Sequence, residues 1–100
     1  MDIEVRDLRL VVTLADHGTL TRAAEELHVT QSALSHQLRE LQARLGVRLF
    51  TRFNRRMMIT PAGKQLLEVG RVTLAQLSDV THALREGTIA NGARLRISTE

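Results

Sequence analysis

The 100-residue chain contains no cysteine, no tryptophan and no tyrosine. Without thiols it forms no disulfide and offers no thiolate metal site, a composition that suits a reducing compartment such as the cytoplasm. Phe50 and Phe53 are its only aromatic residues, too few for a platform of stacked bases, so single-stranded nucleic acid is a poor target. No apolar run approaches the ~20 residues of a membrane span, and the charged start MDIEVRDLRL does not read as a secretory signal. The histidines His17, His28, His36 and His82 lack metal-ligand spacing such as H-E-x-x-H. Nothing in the sequence calls for a cofactor.

What is present is a hydrophobic content of 43%, enough for one compact domain but not for two independent cores. The formal charge of +3 is unevenly spread. Residues 1 to 50 hold six Arg against seven Asp and Glu, whereas residues 51 to 100 hold eight Lys and Arg against four acids. The densest stretch, Arg48 to Arg56, has four arginines and no acid. A charge run is ordinarily a solvated surface, and it becomes a candidate for phosphate contact only if the helix before it is shaped to enter a DNA groove.

That helix belongs to the stretch Thr19 to Leu45. Thr19 can cap a helix carrying Ala23, Ala24 and Leu27, and Thr30 can cap a second carrying Ala33, Leu34, Leu38, Leu41 and Leu45. His28 and Val29 leave room only for a sharp turn, and the paired alanines let two backbones approach closely, which makes a helix-turn-helix. With the leucines of the second helix pointing inward, Gln31, Ser32, Ser35, His36 and Arg39 are left outward near its start. This helix end carries free N–H groups and positive dipole charge. Such an end fits the major groove, where Gln can bond adenine and Ser several base edges.

Upstream, Leu8, Val11, Val12 and Ala15 repeat at helical spacing before Gly18, which predicts a first helix over Arg6 to His17. Downstream, Gly46 is a helix stop. Leu49 to Thr60 then reads as a two-stranded hairpin with Asn54, Arg55 and Arg56 at its tip, and Val47, Leu49, Phe50 and Ile59 pack under the core. Arginine at such a tip suits a narrow minor groove. Thr60 and Pro61 announce another helix, in which Leu67, Gly70, Leu74, Leu77, Thr81 and Leu84 form a near-heptad seam fit for a partner chain. Leu66 and Val69 could instead pack back on the same domain. Beyond Gly87 helix signals fade, and the strand-like ARLRIST predicts the opening of a further domain in a longer protein. The division expected is thus a winged unit over 1–60, a linker and dimerisation helix over 61–87, and a hinge with a first strand over 88–100. The fold class is mainly α, a winged helix-turn-helix with a short two-stranded wing and a long C-terminal helix.

The run TRAAEELHVTQSALSHQLRELQARLG, followed by LF-x-R and TPAG, resembles the N-terminal DNA-binding domain of the LysR-type transcriptional regulators. The resemblance covers almost the whole chain. It implies a bacterial homodimer joined through linker helices, often assembled into tetramers, on an interrupted palindrome of double-stranded DNA. It places Gln31, Ser32, Ser35 and His36 at positions like the family's base-reading ones and matches Arg52 and Arg55 to its wing arginines; Thr30, Arg39 and Arg56 are expected DNA contacts by their own places in the helix cap, the outward face and the arginine run. His36 departs from the many members that carry Arg there. The segments IEVRDL, TQSALSHQL and LRISTE look most like the methionine-biosynthesis regulators of the family, whose co-effector is homocysteine, bound by a domain beyond this chain.

Three classes of function compete: duplex DNA binding, protein interaction through the same fold, and catalysis. The fold alone does not choose between the first two. Glu25 and Glu26 read as a solvent face, and no nucleophile, base and orienting group come together, so an enzyme is the weakest of the three.

Overall fold

Val5–His17 forms α1, whose start is closed by a capping box in which Glu4 and Asp7 each bond the other's backbone N–H. The computed structural model describes residues 2–90. Two further helices follow, α2 (Leu20–Leu27) and α3 (Gln31–Leu45), then strands β1 (Phe50–Phe53) and β2 (Arg56–Ile59), and last α4 (Pro61–Ala90). Both threonine caps act as their positions predict. The Thr19 hydroxyl oxygen accepts from the Arg22 N–H at 3.2 Å and the Thr30 hydroxyl oxygen from the Ala33 N–H at 3.1 Å. Gly18 and Gly46 close α1 and α3 in the left-handed conformation, and His28 does the same for α2 at φ 61°.

The core gathers one face of each helix: Leu10, Val11 and Leu14 from α1, Leu20, Ala23 and Ala24 from α2, and Leu34, Leu38 and Leu41 from α3, with Leu49 and Phe50 beneath them. Ala23 and Ala24 are buried, so α2 lies close against its neighbours. Ile59 packs against this core as expected. Val47 does not. The chain turns outward after Gly46, where the Val47 N–H bonds the Gln42 carbonyl oxygen, and the side chain is left 38% exposed.

The strands pair antiparallel, Phe50 opposite Ile59 and Phe53 opposite Arg56. The tip is therefore Asn54 and Arg55 alone, both at positive φ (51° and 69°), the geometry of a tight type I′ hairpin. Arg56, expected at the tip, begins β2 instead. Three anchors hold the wing. The Gln42 side-chain oxygen accepts the N–H groups of Leu49 and Phe50 at 2.8 and 3.2 Å, the Met57 N–H donates to the Gly18 carbonyl, and the Thr60 N–H donates to that of Leu49. In the TPAG run, the Thr60 hydroxyl oxygen caps α4 through the Gly63 N–H at 3.0 Å. Any side chain at Gly63 would run into the Leu49 carbonyl and come within 2.7 Å of Ile59.

From Pro61, α4 runs for about 45 Å and continues to Ala90, past the expected limit at residue 87. The strand-like ARLRIST lies outside the described residues. The first half of α4 lies antiparallel along α1. A Cβ at Gly70 would stand 3.2 Å from Val12 and 3.6 Å from Leu8, and Arg71 pairs with Asp16 at 2.7 Å. Gly70 thus lets α4 approach α1 of its own chain, a correction to its expected place facing a partner. Leu66 and Leu67 likewise pack on the chain's own core. Val69, the other candidate for packing back, remains exposed because it faces the shallow groove that Val47 also lines.

Candidate nucleic-acid interface

The first turns of α3 project from the leucines that anchor it. Gln31, Ser32 and His36 are exposed, Ser35 is half-buried and Arg39 exposed, while Leu34 and Leu38 between them are buried. This is the division that the leucine spacing predicts. Local bonds then hold the polar side chains. Thr21 lies 3.4 Å from the Gln31 Oε1, Arg39 lies 3.4 Å from the Ser35 Oγ, and His36 lies 3.2 Å from Glu40. The last contact is an ion pair only when the imidazole is protonated. Thr30 uses its hydroxyl oxygen for capping, and the hydroxyl hydrogen is left to donate outward.

The wing stands next to that helix end. Between them is a notch of about 290 Å³ whose walls include Thr21, Gln31, Arg52 and Arg55. Thr21, Gln31, Arg52 and Arg55 are exposed. Arg56 is turned elsewhere: its guanidinium reaches over Gly18, 2.6 Å from where a side chain on that glycine would begin. Among the described residues, no carboxylate pairs with Arg48, Arg52, Arg55 or Arg56, and this surface keeps its positive charge.

The expected dimerisation seam divides in two. Leu67 and Leu74 are half-buried and Gly70 fully so against their own chain, whereas Leu77 (44% exposed), Thr81 and Leu84 (65% exposed) are uncovered. Val80 is exposed beside them. The Thr81 hydroxyl donates back to the Leu77 carbonyl oxygen at 2.7 Å, which removes its polarity from that face.

Residues 5–64 match the family described as bacterial regulatory helix-turn-helix proteins of the lysR family. This chain belongs to that family. Among curated relatives it is similar to the HTH-type transcriptional regulator MetR of Escherichia coli strain K12. The two are 43% identical over 98 residues, covering 98% of this chain and 30% of MetR. Two solved structures resemble it in fold. One is the CbnR DNA-binding domain in complex with DNA (TM-score 0.76, 32% identity, covering 86% of this chain and 99% of that one). The other is the BenM DNA-binding domain with benA site 1 DNA (TM-score 0.80, 29% identity, covering 90% and 99%).

Several residues that shape this lysR-family surface carry no signal in the sequence. Thr21 reads as one more polar position on a solvent-facing helix, yet it meets Gln31 from the neighbouring helix. Gln42 looks like a surface residue of α3 and instead bonds two N–H groups of the wing. Asp7 and Arg44 stand far apart in sequence and pair in space at 3.3 Å. The bond to Asp7 raises the Arg44 pKa, partial desolvation lowers it, and the charges of Asp7, Glu4 and Glu40 raise it further. The only precursor of such pairings in the sequence is the presence of both charges on helices that must pack together.

Proposed function

We propose that this chain is the operator-binding part of a transcriptional regulator. It binds double-stranded DNA sequence-specifically, with α3 in the major groove and the wing at the minor groove and phosphates. The observation that carries this reading is the notch that joins Gln31 to Arg52 and Arg55. It sets a hydrogen-bonding helix start beside unpaired guanidinium groups, one suited to base edges and the other to phosphate. The relatives bound to DNA in their solved structures support it. Thr30, Gln31, Ser32, Ser35 and His36 meet bases or adjacent phosphates, Arg39 follows on the same face, and Arg52 and Arg55 hold the backbone, with Arg56 in a lesser role.

Arg55 adds a separate line of support. It stands at φ 69°, a conformation that costs a side-chain-bearing residue roughly 1 to 2 kcal/mol and that glycine adopts freely. Local backbone strain of this kind gathers at functional sites, and contact with DNA accounts for an arginine there.

The bare half of the seam, Leu77, Thr81 and Leu84 with Val80 beside it, serves a homodimer, and a dimer with two reading helices fits an interrupted palindrome with half-sites about one helical turn apart or a multiple of it. A tetramer in the whole protein follows from the family resemblance. Because the chain spans only 30% of the length of MetR, a small-molecule co-effector belongs to the part outside it, and the similarity to MetR favours homocysteine. The protein works in the cytoplasm, associated with the nucleoid when bound to DNA. No helix among the described residues is long and apolar enough to cross a membrane. Its relatives being regulators, it has no catalytic role.

Duplex selection followed by salt titration tests this. The chain should enrich an inverted repeat, and its affinity should fall steeply as salt rises because bound phosphates release counterions. Gln31→Ala should cost about 1 to 3 kcal/mol on the selected duplex and little on unrelated DNA. An affinity indifferent to salt would favour a protein partner and sink the reading.

A further inference from the structure

Asp7 is the one charged side chain wholly withdrawn from solvent among the described residues, at 0% exposure, and DNA binding as described above does not use it. Its Oδ2 accepts the Glu4 N–H at 2.9 Å and closes the start of α1. Both its oxygens also face the Arg44 guanidinium, with Nη1 at 3.3 Å from Oδ2 and Nη2 at 3.4 Å from Oδ1. Arg44 donates in addition to the Asp2 carbonyl oxygen. The carboxylate separations are at the long end of hydrogen bonding, so the pair supplies direction through a planar two-point fit more than bond strength. It joins the first turn of α1 to the last turn of α3 and is the only polar side-chain link between those helices among the described residues.

We propose that Asp7 and Arg44 are a positioning pair: they set the tilt of α3 against α1, and so set where Gln31, Ser32 and Ser35 meet the base edges. This rests on the reading of α3 as the helix that enters the major groove. Leu34, Leu38 and Leu41 fix the depth of α3, but apolar contact is non-directional and constrains a small pivot weakly. Arg44 and Gln31 lie about 20 Å apart along the helix axis. A pivot of about 5° around Leu41 therefore shifts the Gln31 end by about 1 Å. Productive binding constellations hold to within about 0.5 Å, so a link at the far end of α3 controls contacts that it does not touch.

The test compares parent, Arg44→Gln, Arg44→Lys and Asp7→Asn on the selected duplex and on an unrelated duplex at one salt concentration. The temperature is one at which circular dichroism shows each protein folded. Loss of stability lowers the folded fraction and thereby both affinities equally, so the ratio of the two affinities reports only how α3 is presented. Arg44→Gln should lower that ratio at least about fivefold, the loss of roughly one base contact. Arg44→Lys should recover part of it, since a point charge lacks the planar fork. Asp7→Asn keeps an oxygen for the Glu4 N–H and should also lower the ratio. Affinity for unrelated DNA should stay within about twofold of the parent, because phosphate contacts tolerate a small tilt. An unchanged ratio in Arg44→Gln and Asp7→Asn overturns the proposal, whether affinity is intact or lost equally on both duplexes. A parent without preference for any duplex overturns the DNA-reading function itself.

Discussion

Helices α3 and α4 present the same signal in the sequence, leucines three and four residues apart, and the structure treats them differently. In α3 the stripe of Leu34, Leu38 and Leu41 is buried by the chain's own α1, α2 and wing. In α4 the stripe begins buried and ends bare: Leu66 and Leu67 pack on the core, Gly70 meets α1, and Leu77 and Leu84 face outward. The physical difference is length. α1 has 13 residues and α4 has 30, so an antiparallel α1 can cover only the first half of its neighbour. Apolar periodicity states that a face will be covered; the dimensions of the surrounding elements decide whether the same chain covers it.

The largest effects should come from testing that difference directly. Leu41→Ala removes a wholly buried side chain and should cost about 2 to 5 kcal/mol, whereas Leu84→Ala should leave the stability of the monomer within about 0.5 kcal/mol. Urea denaturation at low protein concentration measures both. Similar losses would mean that the far end of α4 is covered within the chain.

Charging the bare stripe should have a smaller effect on folding and a clear one on assembly. With Leu77→Glu and Leu84→Glu together, helix content should stay that of the parent while sedimentation shifts from dimer to monomer. Binding to an inverted repeat should then weaken to that of a single half-site. A parent that is monomeric at high micromolar concentration, or a variant that still dimerises, moves the interface elsewhere.

The smallest effect separates stability from function in the wing. Arg55→Gly relieves a left-handed conformation and completes the Asn-Gly sequence that a type I′ turn favours, so the melting temperature should hold or rise, a gain of up to about 1 kcal/mol. Affinity for DNA should fall, and the salt dependence should drop by about one unit for one lost phosphate contact. A variant that binds as tightly as the parent with the same salt slope would assign Arg55 no contact.

Most of the fold was legible because its signals are local. A hydroxyl before a helix, a glycine after one, and a proline at a first turn each satisfy backbone groups within a few residues, which is why Thr19, Thr30, Thr60, Gly18 and Gly46 could be placed in advance. The outward set Gln31, Ser32 and His36 followed from the leucines by helical geometry. Sequence and structure part where a residue's surroundings come from distant sequence. Val47 is apolar and next to the core in sequence, but the turn after Gly46 aims it outward. Arg56 lies in β2 and not in the tip because strand register depends on a two-residue turn at Asn54 and Arg55, whose positive φ values no glycine announces. Gly70 faces α1 and not a partner, a choice the sequence leaves open because a small residue in a helix marks a close approach without naming what approaches.

The sequence by itself determined that this chain would cap, turn and bury three helices and a wing, and that one helix would present polar side chains opposite its leucines. These follow from the period of the α-helix and from backbone groups that must be paired close by. Only the tertiary structure decided that Gln42 ties the wing to α3, that Asp7 holds Arg44, that Thr21 meets Gln31, and that α1 covers Gly70 but stops short of Leu84. Each of these joins residues from separate elements, and their meeting depends on crossing angles and lengths set by the packing of the whole core.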